Sequence, residues 1–352
     1  MSDKVLMKGN EAIAEAAIRA GCRHYFGYPI TPQTEVAAYM SKRMPKIGGT
    51  FLQAESEIAA INMVIGVSST GKRVMTSSSS PGVSLKSEGI SYLAGCDLPA
   101  LVVNVQRGGP GLGGIQPSQS DYWQSTKGGG HGDYHPIVYA PCSIQEFVDI
   151  TYNAFDKADE YRTPVMIIGD GMLGQMMEPA EIPPMKDITK LPKKDWAACG
   201  HSDGVPRIIN SLRIEPELLE PFCIHLYEKY AAIEKNEVKV EKYKTDDAEF
   251  VFVAYGSVAR ICKAAIDELR KEGYKVGLIR PITLYPFPVD AINEVAKQAS
   301  VKKFITVELS MGQMVEDVRL SVNGLKPVEF YGRCGGYVMM PSDLVKLIKE
   351  AK

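Results

Sequence analysis

Apolar residues recur along the first half of the chain in the pattern of strands that alternate with helices. The segments LVVNV (101–105) and VMIIG (165–169) are apolar on both faces, which is typical of central strands in a parallel sheet. Strands are expected at residues 23–28, 49–54, 73–78, 99–106, 136–140 and 164–170. Helices are expected to begin near Asn10, Pro32, Ser56, Ser84 and Ser143. This order of elements predicts βαβ units in a doubly wound α/β sheet.

The alternation is interrupted between residues 176 and 247, where proline and charged residues are frequent. We interpret this segment as an extended connector that contains a helix at 215–235. From residue 248 onwards, strands and helices alternate again. The sequence therefore predicts a first domain over 1–175, the connector over 176–247, and a smaller second α/β domain over 248–352.

The composition is that of an ordinary globular protein and excludes several classes of function. Of the 352 residues, 45% are hydrophobic and 23% are charged, and the net charge of −2 gives no electrostatic reason to expect nucleic acid or a membrane surface as a partner. The first residues lack the apolar core of a signal peptide, and no run of 18 uncharged apolar residues occurs, so we expect a cytoplasmic protein. The seven cysteines include no C-x-x-C pair, which argues against zinc, an Fe–S cluster or any other metal on this chain.

The stretch GYPITPQTE (27–35) places a threonine between two prolines where a strand is expected to give way to a helix. Pro32 suits the first helical position, where its missing N–H costs nothing, and Thr31 would then be the N-cap. The apolar side of that helix is expected to comprise Val36, Ala37, Met40 and Met44. Ligands of doubly wound sheets gather where strands end and helices begin, so Thr31 is also a candidate binding residue.

A carboxylate is the second candidate, at the start of the helix expected from Ser56. Glu55 and Glu57 fit this position equally well as residues that the helix dipole favours, by roughly 0.3–1 kcal/mol. A functional role would instead require a carboxyl group in a partly apolar setting beside a ligand nitrogen. The inward side of this helix is expected to comprise Ile58, Ile61, Val64 and Ile65.

Arg107 is the third candidate, because it ends a strongly apolar strand and opens a glycine-rich loop. Its guanidinium would suit a bidentate grip on a substrate carboxylate, although a solvated surface charge is the simpler alternative. The GPGLGG run (109–114) in this loop satisfies G-x-G-x-x-G, but IQPSQS follows it rather than a helix, which argues against dinucleotide binding. Another strand-to-helix turn at 76–89 offers hydroxyl groups, or merely a helix cap, from Ser77–Ser80.

Four segments together resemble the α subunit of the 2-oxoacid:ferredoxin oxidoreductases, and the branched-chain (2-ketoisovalerate) type most of all. They are GYPITPQTE, AESEIAAINMVIG, TSSSSPGVSLKSEGISYLAG and VVNVQRGGPGLG. The resemblance covers essentially the whole chain, including YGSVARICKAAIDELRKEGYKVGLIRPITLYPFP in the second domain. It implies that the first domain is the pyrimidine-binding domain of a thiamine diphosphate (ThDP) fold and that the second is like the C-terminal domain of transketolase.

The resemblance also implies roles for particular residues. Glu57, rather than Glu55, would bond to N1′ of the cofactor's aminopyrimidine, Thr31 would contact the substrate, and Arg107 would receive the 2-oxoacid carboxylate. Further contacts to the cofactor are implied for Tyr28, Pro29, Ile30, Ser80 and Gly82. The diphosphate and Mg²⁺ are implied to be bound by a separate β subunit, so that the cofactor is shared between two chains. The GDG at 169–171 has no asparagine at the spacing of a complete diphosphate motif, and Asp170 is interpreted as a strand-end residue.

The implied reaction is the CoA-dependent oxidative decarboxylation of a branched-chain 2-oxoacid to acyl-CoA and CO₂, with electrons passed to ferredoxin. The Fe–S clusters would lie on partner chains, which include the β subunit and further γ and ferredoxin-like subunits in a hetero-oligomer. 2-Oxoglutarate and pyruvate are alternative substrates, and Lys127 is the residue that would favour a second carboxylate. Two other hypotheses stay open: a β-type subunit of a 2-oxoacid dehydrogenase or a transketolase relative, and a non-catalytic subunit that organises an Fe–S complex.

Overall fold

The computed structural model describes residues 4–200 and 204–350, and strands alternate with helices over most of this length. The strands are β1 (Val5–Lys8), β2 (His24–Gly27), β3 (Thr50–Gln53), β4 (Val74–Ser78), β5 (Ala100–Gln106), β6 (Ile137–Tyr139), β7 (Pro164–Asp170), β8 (Met177–Ala180), β9 (Val240–Tyr243), β10 (Phe250–Val253), β11 (Val276–Pro281), β12 (Thr283–Tyr285), β13 (Lys303–Glu308) and β14 (Val328–Gly332). The helices are α1 (Gly9–Arg19), α2 (Thr34–Arg43), α3 (Glu57–Ser69), α4 (Ser80–Gly95), α5 (Ile144–Tyr161), α6 (Gly171–Gln175), α7 (Pro216–Asn236), α8 (Gly256–Lys271), α9 (Val289–Ala296), α10 (Met314–Val322) and α11 (Pro341–Glu350).

Six strands from the first half of the chain and β12 from the second half build a seven-stranded sheet in the order β12-β6-β7-β5-β4-β2-β3. All its neighbouring strands are parallel except β12, which runs antiparallel to β6. Every residue of the central strands β5 and β7 is buried, as strands covered on both faces must be. The six strands expected in this region are confirmed; β7 has the expected bounds and the other five are slightly shorter.

The second sheet has the order β14-β13-β10-β11-β9 and is parallel except for β9 at its edge. Its core is formed mainly by the inward face of α8 against the strands, with Cys262, Ile266 and Leu269 fully buried. The strands and helices that the sequence predicts after residue 248 are all present.

Residues 176–247 contain more regular structure than an extended connector. Strand β8 pairs antiparallel with β1, α7 occupies the predicted helical stretch, and β9 joins the second sheet. These two strands form a separate two-stranded sheet, which was not foreseen because strands of four residues have too little apolar pattern to be recognised.

Three expectations about helix starts were wrong. Thr31 is not an N-cap and Pro32 is not the first helical residue, because α2 begins at Thr34 and the carbonyl of Pro32 is bound by the side chains of Asn10 and Gln175 outside the helix. Helix α4 begins at Ser80 rather than Ser84, with Pro81 in its first turn, where proline is tolerated.

The inward face of α3 was also misassigned in part. Ile58 is 50% exposed, because the 3.6-residue period that buries Ile61 and Val64 also directs Glu57 inward and turns Ile58 out. The apolar side of α2 is confirmed, since Val36, Met40 and Met44 are fully buried and Ala37 packs against them.

The two sheets are joined by exchanged strands and by a polar interface. Strand β12, from the second half of the sequence, is the edge of the first sheet, and residues 118–127 reach across to the second sheet. The Gln119 side chain donates to the Tyr255 carbonyl (3.0 Å) and accepts from the Leu309 N–H (3.1 Å). Tyr122 donates to Asp317 (2.5 Å). These paired groups fix the position of the glycine-rich loop that precedes them.

Arg280 makes a buried connection between three parts of the fold. Its guanidinium donates two bonds to Glu146 of α5 (2.7 and 2.9 Å) and one to Glu241 of β9 (2.6 Å). Replacing Arg280 with methionine should destabilise the protein by roughly 2 kcal/mol, less than the about 3–5 kcal/mol of a fully buried pair, because both carboxylates keep part of their exposure.

Urea unfolding of Arg280→Met against the parent protein measures this loss. Lys346→Ala, which removes an exposed ion pair with Glu350 (3.7 Å), is the matched control and should change stability by less than about 0.5 kcal/mol. Equal stability of Arg280→Met and the parent would contradict the structural role of this residue.

Candidate active site

The turn between β2 and α2 presents the residues singled out in the sequence at the carboxyl edge of the first sheet. Tyr28, Pro29 and Thr31 are exposed, whereas Pro32 and Gln33 are buried. Besides binding the Pro32 carbonyl, Asn10 and Gln175 donate to Glu35 (2.9 and 2.8 Å). Burial opposes ionisation of Glu35, but these hydrogen bonds outweigh it and lower its pKa. The buried side of the turn, at Pro32, is thus fixed by hydrogen bonds, whereas Tyr28, Pro29 and Thr31 remain exposed.

A buried polar chain continues from this turn into the sheet. Gln33 donates to the Tyr28 carbonyl (3.3 Å) and accepts from the Ser77 hydroxyl (2.6 Å), and Ser77 is also bonded to the Tyr25 hydroxyl (2.7 Å). This chain couples the turn to β4, the strand that leads into α4. Gln33 was not identified from the sequence, where it reads as an ordinary polar residue in a loop.

Arg107 lies directly against the turn. Its side chain is 7% exposed and donates to the carbonyls of Thr31 (3.0 Å) and Leu112 (3.2 Å), and Nε has no partner. Among the described residues, no carboxylate forms an ion pair with it. Since an unpaired buried cation is costly, the arrangement favours an anionic ligand at this position.

The N-terminus of α4 is joined to Arg107 through Ser80. The Ser80 hydroxyl donates to Asp121 (2.6 Å) and accepts from the backbone N–H of Arg107 (3.0 Å), and Asn104 also donates to Asp121 (2.9 Å). Burial raises the pKa of Asp121, while these two side-chain bonds oppose the rise. Ser80 therefore links the start of α4 to the Arg107 backbone and to Asp121. Asn104 and Asp121 are site residues that were not identified from the sequence.

Glu57 lies against the first turn of α4. It is only 4% exposed, whereas Glu55 is exposed, so the structure distinguishes the two carboxylates. Its Oε1 atom packs so closely against Gly82 that a Cβ there would overlap with it and with Ser78 Oγ. Within the described part of the chain, no residue donates a hydrogen bond to this carboxylate. A carboxylate on a largely buried side chain without a protein donor indicates that a ligand completes the site.

The candidate residues therefore converge on one place. Thr31 touches Arg107, Arg107 touches Ser80, and Ser80 is two residues from Gly82, which touches Glu57. Tyr28, Pro29 and Ile30 lie on the adjoining turn.

The glycine motifs at 109–114 and 169–171 have different structural roles. Residues 109–114 form a loop that a bridge between Arg107 and Pro117 closes, and no helix follows it directly. Asp170 ends β7, as expected, and accepts from the N–H groups of Met172 and Leu173 and from the Ser257 hydroxyl. It is a helix cap and an interdomain contact, and burial raises its pKa. Within residues 4–200 and 204–350, no group of three or more potential metal ligands is found.

Comparison with known proteins assigns the chain to a family. Residues 15–247 match the family model described as pyruvate flavodoxin/ferredoxin oxidoreductase, thiamine diphosphate-binding, and residues 248–344 match core domain II of pyruvate:ferredoxin oxidoreductase. The chain belongs to the 2-oxoacid:ferredoxin oxidoreductases. The resemblance seen in the sequence is confirmed, as is the α/β fold with a ThDP-binding domain and a further α/β domain.

Individual members of the 2-oxoacid:ferredoxin oxidoreductases are similar over most of the chain. Ketoisovalerate oxidoreductase subunit VorB of Methanothermobacter marburgensis is 50% identical, over 98% of this chain and 97% of its own. 2-Oxoglutarate synthase subunit KorA of Methanocaldococcus jannaschii is 36% identical, over 97% and 98%.

The structural comparison gives the same family. The 2-oxoglutarate:ferredoxin oxidoreductase of Magnetococcus marinus, solved with 2-oxoglutarate, coenzyme A and succinyl-CoA, matches 99% of this chain with a TM-score of 0.89 and 30% identity. This chain spans 65% of that longer one. A split-gene transketolase matches with a TM-score of 0.59 at 14% identity, which shows a shared fold alone. Over the described residues, no helix has the length and apolar character needed to cross a membrane.

The contact between Gly82 and Glu57 gives a direct test of the site geometry. Gly82→Ala would force a methyl group into Ser78 Oγ and Glu57 Oε1, so we expect a loss of roughly 1–3 kcal/mol in the free energy of unfolding. Gly66→Ala, in the middle of α3 where a Cβ meets open space, is the matched control and should stabilise by about 0.5–1 kcal/mol. Chemical denaturation of the purified chain measures both, and similar values for the two variants would contradict the close packing.

Proposed function

We propose that this chain is the α subunit of a 2-ketoisovalerate:ferredoxin oxidoreductase. The reaction would be the CoA-dependent oxidative decarboxylation of a branched-chain 2-oxoacid to acyl-CoA, CO₂ and reduced ferredoxin. The observation that carries the proposal is the buried Glu57 carboxylate without a protein partner, on a chain 50% identical over nearly its whole length to a ketoisovalerate oxidoreductase subunit.

The residues present fit one half of a ThDP site. Glu57 would accept a hydrogen bond from the protonated N1′ of the aminopyrimidine, and Gly82 leaves the room that this carboxylate occupies. Tyr28, Pro29 and Ile30 would contact the ring from the exposed turn. The hydrogen bond from Ser80 to Asp121 would hold the first turn of α4 in place. When bound, the cofactor supplies an electron sink for the carbanion left by decarboxylation. The part of this chain is to orient the ring and to hold the proton shared between Glu57 and N1′.

Arg107 and Thr31 would bind the 2-oxoacid. The guanidinium already bonds to two carbonyl groups, which fixes its plane, and its three remaining N–H groups, that of Nε among them, would be left for the substrate carboxylate. The exposed Thr31 lies beside it and would offer its hydroxyl to the 2-oxo group. Charge pairing in this largely buried setting would orient the substrate toward the cofactor.

The contacts of Lys127 support a substrate with a single carboxylate. This lysine, the candidate receptor for a second carboxylate, is ion-paired with Asp317 (2.5 Å), which also accepts from Tyr122. A cation held in this way supports a short branched substrate rather than 2-oxoglutarate. 2-Oxoglutarate and pyruvate are the alternatives that a substrate panel would distinguish.

A partner chain is supported by the surface beside the site. Helix α3 is apolar on nearly all sides, which is unusual for a helix at a monomer surface. Leu52 on β3, Ile58 on α3 and Leu85 on α4 are large apolar side chains that are exposed. We propose that a β subunit covers this face and contributes the diphosphate and Mg²⁺ contacts of the shared cofactor. Because the seven cysteines lack cluster spacing, the Fe–S clusters are assigned to the β subunit and to further γ and ferredoxin-like chains.

The role of Glu57 is tested in the reconstituted complex. Glu57→Gln and Glu57→Ala should lower 2-oxoacid-dependent reduction of ferredoxin or methyl viologen by roughly 10²–10⁴-fold, the usual contribution of a positioned acid–base group. Subunit assembly, followed by size-exclusion chromatography, should be unchanged. Glu55→Gln is the matched control and should keep near-normal turnover. Full activity of the Glu57 variants would favour a non-catalytic organising subunit.

The role of Arg107 is tested by a conservative change. Arg107→Lys keeps the charge but loses the planar fork, so KM for the 2-oxoacid should rise by roughly ten- to hundredfold, equivalent to about 1.4–2.8 kcal/mol. Steady-state kinetics with 2-ketoisovalerate, 2-oxoglutarate and pyruvate would also show which substrate is preferred. Arg43→Lys, in a partly exposed ion pair with Glu15 away from the site, should leave KM unaffected. An unchanged KM in Arg107→Lys would remove Arg107 from substrate binding.

A further inference from the structure

A cleft lies at the amino edge of the first sheet, opposite the edge that carries the candidate active site. Strands β2 and β4 begin there, next to the lining residues His24 and Arg73, and residues 188–199 of the connector complete the lining. Strand β4 alone spans about 13 Å, at roughly 3.3 Å per residue, so the cleft is separate from the start of α4. Its volume of about 330 Å³ is within the usual range of small-molecule sites, about 300–1,000 Å³.

The connector is fixed at two places, so the cleft is a defined part of the fold. The Lys186 N–H donates to the carbonyl of Arg19, the last residue of α1 (2.7 Å). The Ala198 N–H donates to the carbonyl of Ser69, the last residue of α3 (2.8 Å). Two of the carbonyl groups that basic side chains commonly bind at helix ends are thus already paired with backbone.

Positive charge predominates in the lining of this cleft. One carboxylate, Asp159, lines it together with five cationic side chains and an imidazole: Arg23, Lys72, Arg73, Lys193, Lys194 and His24. Asp159 accepts from Arg73 (2.8 Å) and is also paired with Lys194. Asp156, outside the lining, accepts from Arg73 (2.7 Å) and is paired with Lys186. Two carboxylates therefore serve three cations, and the remaining cations of the lining have no negative partner among the described residues.

These remaining cations are available to a ligand. Over the described ranges, the ammonium groups of Lys72 and Lys193 form no hydrogen bond or ion pair, and both residues are exposed. Arg23 donates through Nη1 to the carbonyls of Ile18 (3.0 Å) and Cys22 (2.9 Å), but to no carboxylate. A cleft that gathers charge of one sign attracts ligands of the opposite sign.

The cations of the cleft also act on one another. Burial lowers the pKa of Lys194, Asp159 opposes this effect, and the positive charges of Arg73 and Lys72 add to it. Mutual repulsion of this kind is offset when an anion binds between the cations. The charge distribution therefore favours an anionic ligand in the cleft.

The connector contributes an apolar part to the same lining. Its residues there include Ile188, Leu191, Pro192 and Ala197. A ligand that fits both parts has negative charge at one end and an apolar or aromatic body at the other. Phosphate groups are the anions that lysine and arginine commonly bind in proteins.

We propose that this cleft binds an organic diphosphate, with its phosphate groups at Arg23, Lys72 and Lys193 and its organic body against the connector. A nucleoside 5′-diphosphate has this chemistry, and so does the nucleotide portion of CoA. The site goes beyond the proposed reaction, because it lies at the edge of the sheet away from Glu57 and Arg107.

The exposed thiol of Cys199 lines the cleft and reports its occupancy. The full chain would be treated with N-ethylmaleimide, and modification of Cys199 followed by mass spectrometry of its peptide. ADP at about ten times its Kd should slow this reaction by about tenfold, by mass action. Pyrophosphate should also protect the thiol, whereas adenosine, which has no phosphate group, should not. Cys334, also exposed but in the loop after β14, is the internal control and should react at a constant rate.

Charge reversal tests whether the lysines bind the phosphate groups. Lys72→Glu and Lys193→Glu alter exposed side chains, so the fold should be retained, and each should raise the half-protecting ADP concentration by roughly tenfold or more. Lys297→Glu, at the exposed end of α9, is the matched control and should leave this concentration unchanged. Rates with and without ADP are compared within each variant, because a nearby charge also changes the reactivity of a thiol.

CoA in place of ADP identifies the source of the diphosphate. Half-protection at a lower concentration of CoA than of ADP would support the co-substrate as the ligand, and the reverse order would support a free nucleotide. The proposal would be overturned if ADP, CoA and pyrophosphate all fail to protect Cys199 at millimolar concentration. Undiminished protection in both lysine variants, or equal protection by adenosine, would overturn it as well.

Discussion

The close approach of α3 and α4 is the constraint on which this site depends. Two glycines allow it, one against the Glu57 carboxylate and one against Ile61. Because neither glycine has a side chain, the Glu57 carboxylate and the Ile61 side chain of α3 can lie directly against the backbone of α4. Any larger residue at position 82 or 89 would separate the helices and move Glu57 away from the open turn at 28–31.

The site is also a place where the fold accepts unfavourable electrostatics. Glu57 is buried without a hydrogen-bond donor from the described residues, and the Arg107 guanidinium is buried without a carboxylate. Buried groups of this kind lower stability unless a ligand completes them. Well-satisfied contacts surround them: Asn10 and Gln175 hold the turn, and Asp121 holds the start of α4. The two charged groups that lack a partner thus lie where the cofactor and the substrate would meet this chain.

The parallel strands were predictable from the sequence, because runs such as LVVNV are apolar on both faces, which is typical of strands that helices cover on each side. Helix starts were less so: Pro32 looked like a first helical residue, but hydrogen bonds from Asn10 and Gln175 decide its conformation, and neither is near it in sequence. Glu57 and Arg107 were identified through family resemblance, since each also fits an ordinary structural role. Asp121 and Asn104 left no signal, because only the tertiary fold joins them.

The exchange of edge strands makes the two α/β units inseparable. Strand β12 is encoded after residue 280 yet closes the first sheet, while β9 is encoded before residue 248 yet closes the second. A gene cut at the boundary between the two matched family models would remove an edge strand from each sheet, and the unpaired N–H and C=O groups exposed there would be a template for self-association. Each half of the chain therefore depends on the other for one edge strand of its sheet, and the two halves are expected to stay on one polypeptide.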